Sequence, residues 1–263
     1  MTNKAKKPID SASVLIIRDG EAHARHGTLQ ILMARRHKNI KFAGGAYVFP
    51  GGKLDEADRF EDDGTGDLPE DFRGFRYAAL REVFEETGLI IGTKDGQPVN
   101  ETTRKMIDRR YRAAVLERRI SLSDFLDQAG ISFGQCYPFA HWITPEAYPV
   151  RYNTRFFLCV APAGQIPDPD GHEITGLSWI YPMTLVEESD GVLMFPTMMN
   201  LKMLGQAKSV SEALEILAKR DIVTVTPEVI TGDKMRFRKI PDSAGYQEVD
   251  QSRTRAAIDM NKG

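Results

Sequence analysis

The stretch Arg81-Glu-Val-Phe-Glu-Glu-Thr-Gly-Leu89 carries three carboxylates at spacings of three and four residues. A helix brings Glu82, Glu85 and Glu86 onto one face. At 3.6 residues per turn, Glu85 falls about 60° to one side of Glu82 and Glu86 about 40° to the other. Leu80, Val83 and Phe84 fall on the opposite half. Three carboxylates this close repel one another unless a cation neutralises them. An all-oxygen donor set suits a hard divalent ion, Mg²⁺ or Mn²⁺. Arg81 stands next to the first acid, placed to neutralise and orient it. Ala78 and Ala79 are small, and the expectation is that they leave room above the acids. Taken alone, Glu-Val-Phe-Glu-Glu also reads as a solvated acidic face. Its flanks favour a site: Gly51-Gly52 upstream, Arg81 before the first acid, and Gly88-Leu89 closing the helix, all in order.

These residues resemble the Nudix box, which runs Gly, five residues, Glu, seven residues, then Arg-Glu-aliphatic-any-Glu-Glu-any-Gly-aliphatic. Gly52 fits the first glycine, and residues 81–89 fit the whole second half. Two departures stand out. Asp58 occupies the position of the first glutamate, and 22 residues rather than seven separate it from Arg81, an insertion of 15. Lengthening a loop whose ends stay close costs little, so the site can survive the interruption. The resemblance implies an α/β fold, an α/β/α sandwich around a mixed β-sheet, with a helical insertion. It implies Glu82, Glu85 and Glu86 as metal ligands, a backbone carbonyl of Gly51 as a further one, and Arg81 as the residue that holds the glutamates. It gives Asp58 a peripheral place. Members also use an acid from a later loop, and Glu173, six residues before Trp179, resembles that position; it is the candidate mobile ligand or general base, with His172 weaker. The implied catalytic set is therefore Glu82, Arg81 and Glu173.

The chemistry implied is hydrolysis of a diphosphate bond in a nucleoside-linked substrate. Residues 32–52 resemble a degenerate form of the motif that precedes the box in coenzyme A diphosphatases. Arg36, Gly45 and Phe49 to Gly52 match it, Lys41 stands where arginine is usual, and Ala34 and His37 depart from it. The insertion in the box, the helical segment before His141-Trp-Ile-Thr-Pro145, and Arg151-Tyr-Asn-Thr-Arg-Phe-Phe157 look like the peroxisomal-type branch of those enzymes. The candidate substrate is coenzyme A or an acyl derivative. ADP-ribose, a dinucleotide or a nucleotide is the alternative, and a non-catalytic binding module of the same fold is the reading from another class. Arg36, Lys41, Arg151 and Arg155 are candidate phosphate contacts, because guanidinium and ammonium groups match phosphate oxygens. Trp142, Tyr152 and Phe156 are candidate base-stacking rings, with core packing the plainer reading of Phe156.

The elements that must position these groups read as follows. Residues 11–18 and 28–35 are strands around a hairpin loop at 19–27, and 46–49 is a short strand. Residues 75–87 form the carboxylate helix, with Gly88 at its end. Residues 101–119 and 121–128 are helices, the second capped by Ser121. Strands follow at 139–144, 154–161 and 177–181, helices at 198–204 and 211–219, and late strands at 222–227 and 234–240. The expected organisation is a single domain over 1–250, with insertions at 59–73 and 100–130, and a polar tail at 251–263.

Composition narrows the partners. The chain has 263 residues, 41% hydrophobic and 27% charged, with formal net charge -2. No global basic field exists to attract nucleic acid. No apolar run approaches the length of a membrane span, and the first ten residues lack the apolar core of a secretory signal. The C-terminal residues carry no peroxisomal tripeptide. A cytoplasmic protein is the expectation, with a homodimer suggested only by the family resemblance. Cys136 and Cys159 are expected to be buried small hydrophobes.

Overall fold

The computed structural model describes residues 6–39, 44–58, 68, 72–188, 193–231 and 236–246. The centre is a mixed sheet. Strands β1 (Ile9–His23), β2 (Gly27–Arg36), β8 (Tyr137–Ile143), β9 (Tyr152–Val160), β10 (Ile174–Ile180) and β11 (Thr224–Val225) lie in the order β10-β2-β1-β9-β8-β11. β1 and β9 are parallel, from Ile9 opposite Tyr152 to Ile17 opposite Val160; β1 and β2 are antiparallel. Side chains alternate cleanly between two cores, as a strand period of two requires. Leu15, Ile17, Ile31, Phe156 and Leu158 face helices α4 (Pro182–Glu188), α5 (Phe195–Leu204) and α6 (Val210–Ala218). Val14, Ile16, Leu32, Phe157 and Cys159 face α1 (Arg73–Thr87), α2 (Glu101–Leu116) and α3 (Leu122–Ala129). The result is the expected α/β/α sandwich.

One irregularity of the sheet builds the cleft. β2 pairs with β1 only from Ile17 outward. The chain returns through β3 (Tyr47–Val48), and β4 (Gly51–Lys53) then takes over the same edge of β1 opposite Ser11 to Ser13. Between them the Val14 amide donates to Pro50 O at 2.8 Å. The glycine pair is thus held against β1 and beside α1.

α1 ends as its sequence predicts. Gly88 adopts φ 66, and its amide donates to Phe84 O at 2.9 Å. The α2–α3 segment packs on this end. Phe84 stacks on Phe125 with ring centroids 4.7 Å apart. Arg112 Nε donates to Glu85 O at 3.0 Å and Arg104 Nη1 to Gly88 O at 3.2 Å. Two guanidinium groups therefore meet the partially negative carboxyl end of α1. Ser121 caps α3 as expected, accepting from the Asp124 amide at 3.1 Å.

Several sequence expectations change. The loop expected at 19–27 is mostly strand, because β1 continues to His23 and β2 begins at Gly27. The late strand at 222–227 shrinks to Thr224–Val225. α4, β12 (Glu228–Thr231) and a small sheet of β5 (Gly92–Lys94), β6 (Gln97–Pro98) and β7 (Ile131–Phe133) were not anticipated. Residues 234–240 hold β13 (Arg236–Lys239), which pairs with β12. Ala78 and Ala79 are fully buried in the core between α1 and the sheet. Their small size brings the helix close to the strands rather than opening space above the acids. Most of the insertion expected at 59–73, and the tail at 251–263, lie outside the described residues. No helix among the described residues is long and apolar enough to cross a membrane.

Candidate active site

Glu82, Glu85 and Glu86 line one side of a cleft of about 680 Å³. All three are buried. The first two share a central cation. Arg81 Nη1 donates to Glu82 Oε1 at 2.9 Å and to Glu85 Oε2 at 3.1 Å. Its other nitrogens hold Asp58 at 2.9–3.2 Å and Lys53 O at 2.9 Å. Asp58 is only 2% exposed, so the acid given a peripheral place is the buried anchor of Arg81. It stands 23 residues before its partner, and the interruption between them leaves the pair intact.

Glu86 is fixed from the glycine side, where the Gly51 amide donates to its Oε2 at 2.9 Å. Gly51 therefore belongs to the site through its N–H. Gly52 lies against Glu82: a Cβ there would stand 2.3 Å from Glu82 Oε1. Gly52→Ala is expected to leave the fold intact, since a carboxylate tip can move. It displaces Glu82 and lowers turnover by about tenfold to a hundredfold, the range seen when groups that orient metal ligands are changed. A variant with the wild-type rate would show that Glu82 need not occupy this position.

One guanidinium cannot neutralise this many acids. Burial pushes Glu82 up to about 7 against the pull of Arg81. Burial and the charge of Glu82 lift Glu86 well above the usual carboxylate range, opposed by the Gly51 amide and Arg36. Burial also raises Glu85, opposed by Arg81 and then Arg118. A carboxylate with a raised folded-state pKa binds its proton more tightly when folded, so its contribution to stability falls as pH rises. For Glu82 the window runs from 4.5 to about 7. Metal-free protein is therefore expected to melt at a lower temperature at pH 8 than at pH 5.5. Glu86→Gln should flatten that slope, and equal slopes in the two proteins would sink the assignment.

Across the cleft lie Arg36, at the end of β2, and the loop before β10. Arg36 Nε is a buried donor with no hydrogen-bond partner among the described residues. Its Nη2 stands 3.8 Å from Glu173 Oε2. The Glu173 side chain is 67% exposed and its charge reaches Glu86. Asp170 Oδ1 fixes this loop by accepting the amides of His172 at 2.5 Å and Glu173 at 2.7 Å. His172 also lines the cleft.

Two other expected phosphate contacts, Arg151 and Arg155, do not line the cleft. Arg151 is buried, and its guanidinium donates to Thr144 O and Lys6 O, both at 3.0 Å. Arg155 points to the opposite face of the sheet. Tyr152, Thr154 and Phe156 face the cleft, so Arg155 must face α1, where it bonds to His141 and Asn153 and lies over Phe75. Lys41 lies outside the described residues. Of the aromatic candidates, Trp142 and Phe156 line the cleft but are buried. The Trp142 indole donates to the Tyr246 hydroxyl at 3.1 Å, and Phe156 meets Phe49 edge-on. Tyr152 is half-buried at the cleft wall.

Arg118 was missed. It follows α2, lines the cleft, and bonds Glu85 through Nη1 and Asp55 through Nε at 2.7 Å. Its chain position carried no signal beyond an arginine-rich helix end.

A family model described as NUDIX domain matches residues 7–196. A protein of Caenorhabditis elegans named putative nudix hydrolase 7 is 31% identical over 163 residues, covering 62% of this chain and 50% of its own. An acyl-coenzyme A diphosphatase of Homo sapiens is 27% identical over 207 residues, covering 60% of this chain and 55% of its own. The chain thus spans about half the length of the curated relatives it matches. Among solved structures, a NUDIX hydrolase of Alicyclobacillus acidocaldarius superposes with TM-score 0.65 at 26% identity, covering 80% of this chain and 96% of its own.

Proposed function

Because the chain belongs to the Nudix domain family, we propose that it hydrolyses a diphosphate bond in a nucleoside-linked substrate with the help of a divalent cation. The observation that carries this reading is the cleft itself. One helix face presents three buried carboxylates, and Arg36 lines the same cleft.

The donor set is all oxygen, which fits Mg²⁺ or Mn²⁺ and not a softer ion. Among the described residues no group of three His, Cys, Asp or Glu side chains is already arranged to grip an ion. Glu82 and Glu85 are turned toward Arg81, and Glu85 also toward Arg118. The residues fit by type, and Glu82, Glu85 and Glu86 would hold the ion through oxygens other than those that Arg81 and the Gly51 amide engage. A bound divalent cation supplies charge neutralisation at the diphosphate and polarises water.

The chain's own residues divide the remaining work. Arg36, which lines the cleft, offers its guanidinium charge to an anionic oxygen and orients the diphosphate. Glu173, exposed and close to Arg36, is placed to accept the proton of the attacking water. Asp170 limits the wandering of that loop. Arg81 and the Gly51 amide keep Glu82, Glu85 and Glu86 from reorienting while charge builds up, which is where positioning lowers the barrier of phosphoryl substitution.

Coenzyme A or an acyl-coenzyme A is the first candidate substrate. The support is the resemblance of residues 32–52 and 151–157 together with the human relative named for that activity. ADP-ribose, dinucleotides and nucleotides keep the same chemistry. A non-catalytic binding module is favoured by one observation, the engagement of the carboxylates by arginines. Incubation with Mg²⁺ or Mn²⁺ and a panel of coenzyme A, ADP-ribose, NADH and nucleotides separates the readings. Release of 4′-phosphopantetheine and 3′,5′-ADP is the expected result; binding of a nucleotide with no cleavage across the panel would overturn the enzymatic reading.

A further inference from the structure

Both oxygens of Glu85 are occupied, and by arginines of very different character. Oε2 is held by Arg81, whose side chain is 3% exposed and also grips Asp58, Glu82 and a backbone carbonyl. Oε1 is held by Arg118, whose side chain is 47% exposed. Arg81 cannot leave without stranding several buried acids. Arg118 can leave, since water and Asp55 remain available to its guanidinium.

The backbone of Arg118 is as unusual as its contact. It adopts φ 58, the left-handed conformation at the end of a helix, with its amide donating to Val115 O at 3.0 Å. Glycine normally occupies such a position. An arginine there is strained, and a strained residue at a cleft is grounds for seeking a function. Its Nη1 also meets Val115 O at 3.1 Å, so the side chain curls back over the helix end toward the carboxylates. α2 is fastened to α1 through Arg104 and Arg112, and α3 through the Phe84–Phe125 stack, which sets where Arg118 can reach.

We propose that Arg118 is an exchangeable counter-ion: it neutralises Glu85 Oε1 in the metal-free protein and must yield that oxygen before a divalent cation can take it. The inference rests on the reading of Glu82, Glu85 and Glu86 as the cation platform. On it, the α2–α3 segment sets the cation affinity of the box, through one positioning residue that the box does not contain. A guanidinium and a divalent cation at the same carboxylate oxygen repel each other, so removing the guanidinium strengthens cation binding.

Mn²⁺ titration without substrate, following free Mn²⁺ by its paramagnetic resonance signal, tests this. Arg118→Gln and Arg118→Gly should each bind Mn²⁺ about fivefold to thirtyfold more tightly than the wild type. Arg118→Lys, which keeps the charge, should stay near the wild-type affinity. The glycine variant relieves the backbone, so it keeps the experiment decisive if the glutamine variant folds poorly. Unchanged or weaker Mn²⁺ binding in the glycine variant overturns the inference and leaves the cation platform standing. Absence of Mn²⁺ binding in every protein, wild type included, overturns the platform and the inference with it.

Discussion

Glu86→Gln is expected to reduce hydrolysis by about a hundredfold to a thousandfold or more, the range seen when a single electrostatic contact to the reacting centre is removed. The protein should keep its fold. Glu86 is 5% exposed, and burial already favours its uncharged form in the metal-free state. A glutamine has nearly the same shape and can still accept the Gly51 amide through its carbonyl oxygen. What is lost is the negative charge available to a cation. The metal-free variant should therefore melt at or above the wild-type temperature at pH 8, while its rate with Mg²⁺ collapses. Glu85→Gln should lower the rate likewise but, unlike Glu86→Gln, should also lose stability, because Arg81 and Arg118 lose a charged partner. Steady-state rates with the panel substrate, paired with thermal melts, decide the matter. A near-normal rate in Glu86→Gln would remove that residue from the cation platform.

The parts of this site that could be read from the sequence are those governed by short-range periodicity. Three acids at helical spacing must share a face, and Arg81 one residue before the first of them must lie at its edge. Gly88 marks the helix end for a purely local reason, its left-handed backbone. A strand period of two separates Tyr152 and Phe156 from Arg155, whose guanidinium chemistry alone suggests phosphate. The structure puts it on the face toward α1. Arg151 shows a different limit: its partners are backbone carbonyls of Lys6 and Thr144, which no side-chain pattern reports. Ala78 and Ala79 were assigned to the right face but to the wrong surroundings, because spacing along a helix does not say whether a sheet or solvent lies above it. The role of Asp58 as partner of Arg81, and the presence of Arg118, are not legible for a further reason. Asp58 meets Arg81 and Arg118 meets Glu85 across a long stretch of chain, and each contact depends on how two packed elements meet.

Arg81→Gln is expected to destabilise the metal-free protein by about 3–5 kcal/mol, the cost typical of removing one partner from a buried charge cluster. The side chain is 3% exposed, and among the described residues no second buried cation pairs with the acids around it: Arg118 is half-exposed and forms its ion pairs with Glu85 and Asp55. Asp58 suffers most, since its carboxylate is 2% exposed and is held by three contacts to this one guanidinium. The loss should depend on pH. With Arg81 gone, the acids escape repulsion by taking protons, which is easier at low pH, so the destabilisation should be larger at pH 8 than at pH 5.5. Saturating Mg²⁺ should return part of the lost stability, because a divalent cation can neutralise the carboxylates that Arg81 abandons. Urea unfolding midpoints at the two pH values, with and without Mg²⁺, measure all three effects. If the variant were destabilised equally at both pH values, Arg81 would be acting through packing of its hydrocarbon stem and not as the cation that allows Asp58, Glu82 and Glu85 to be buried together.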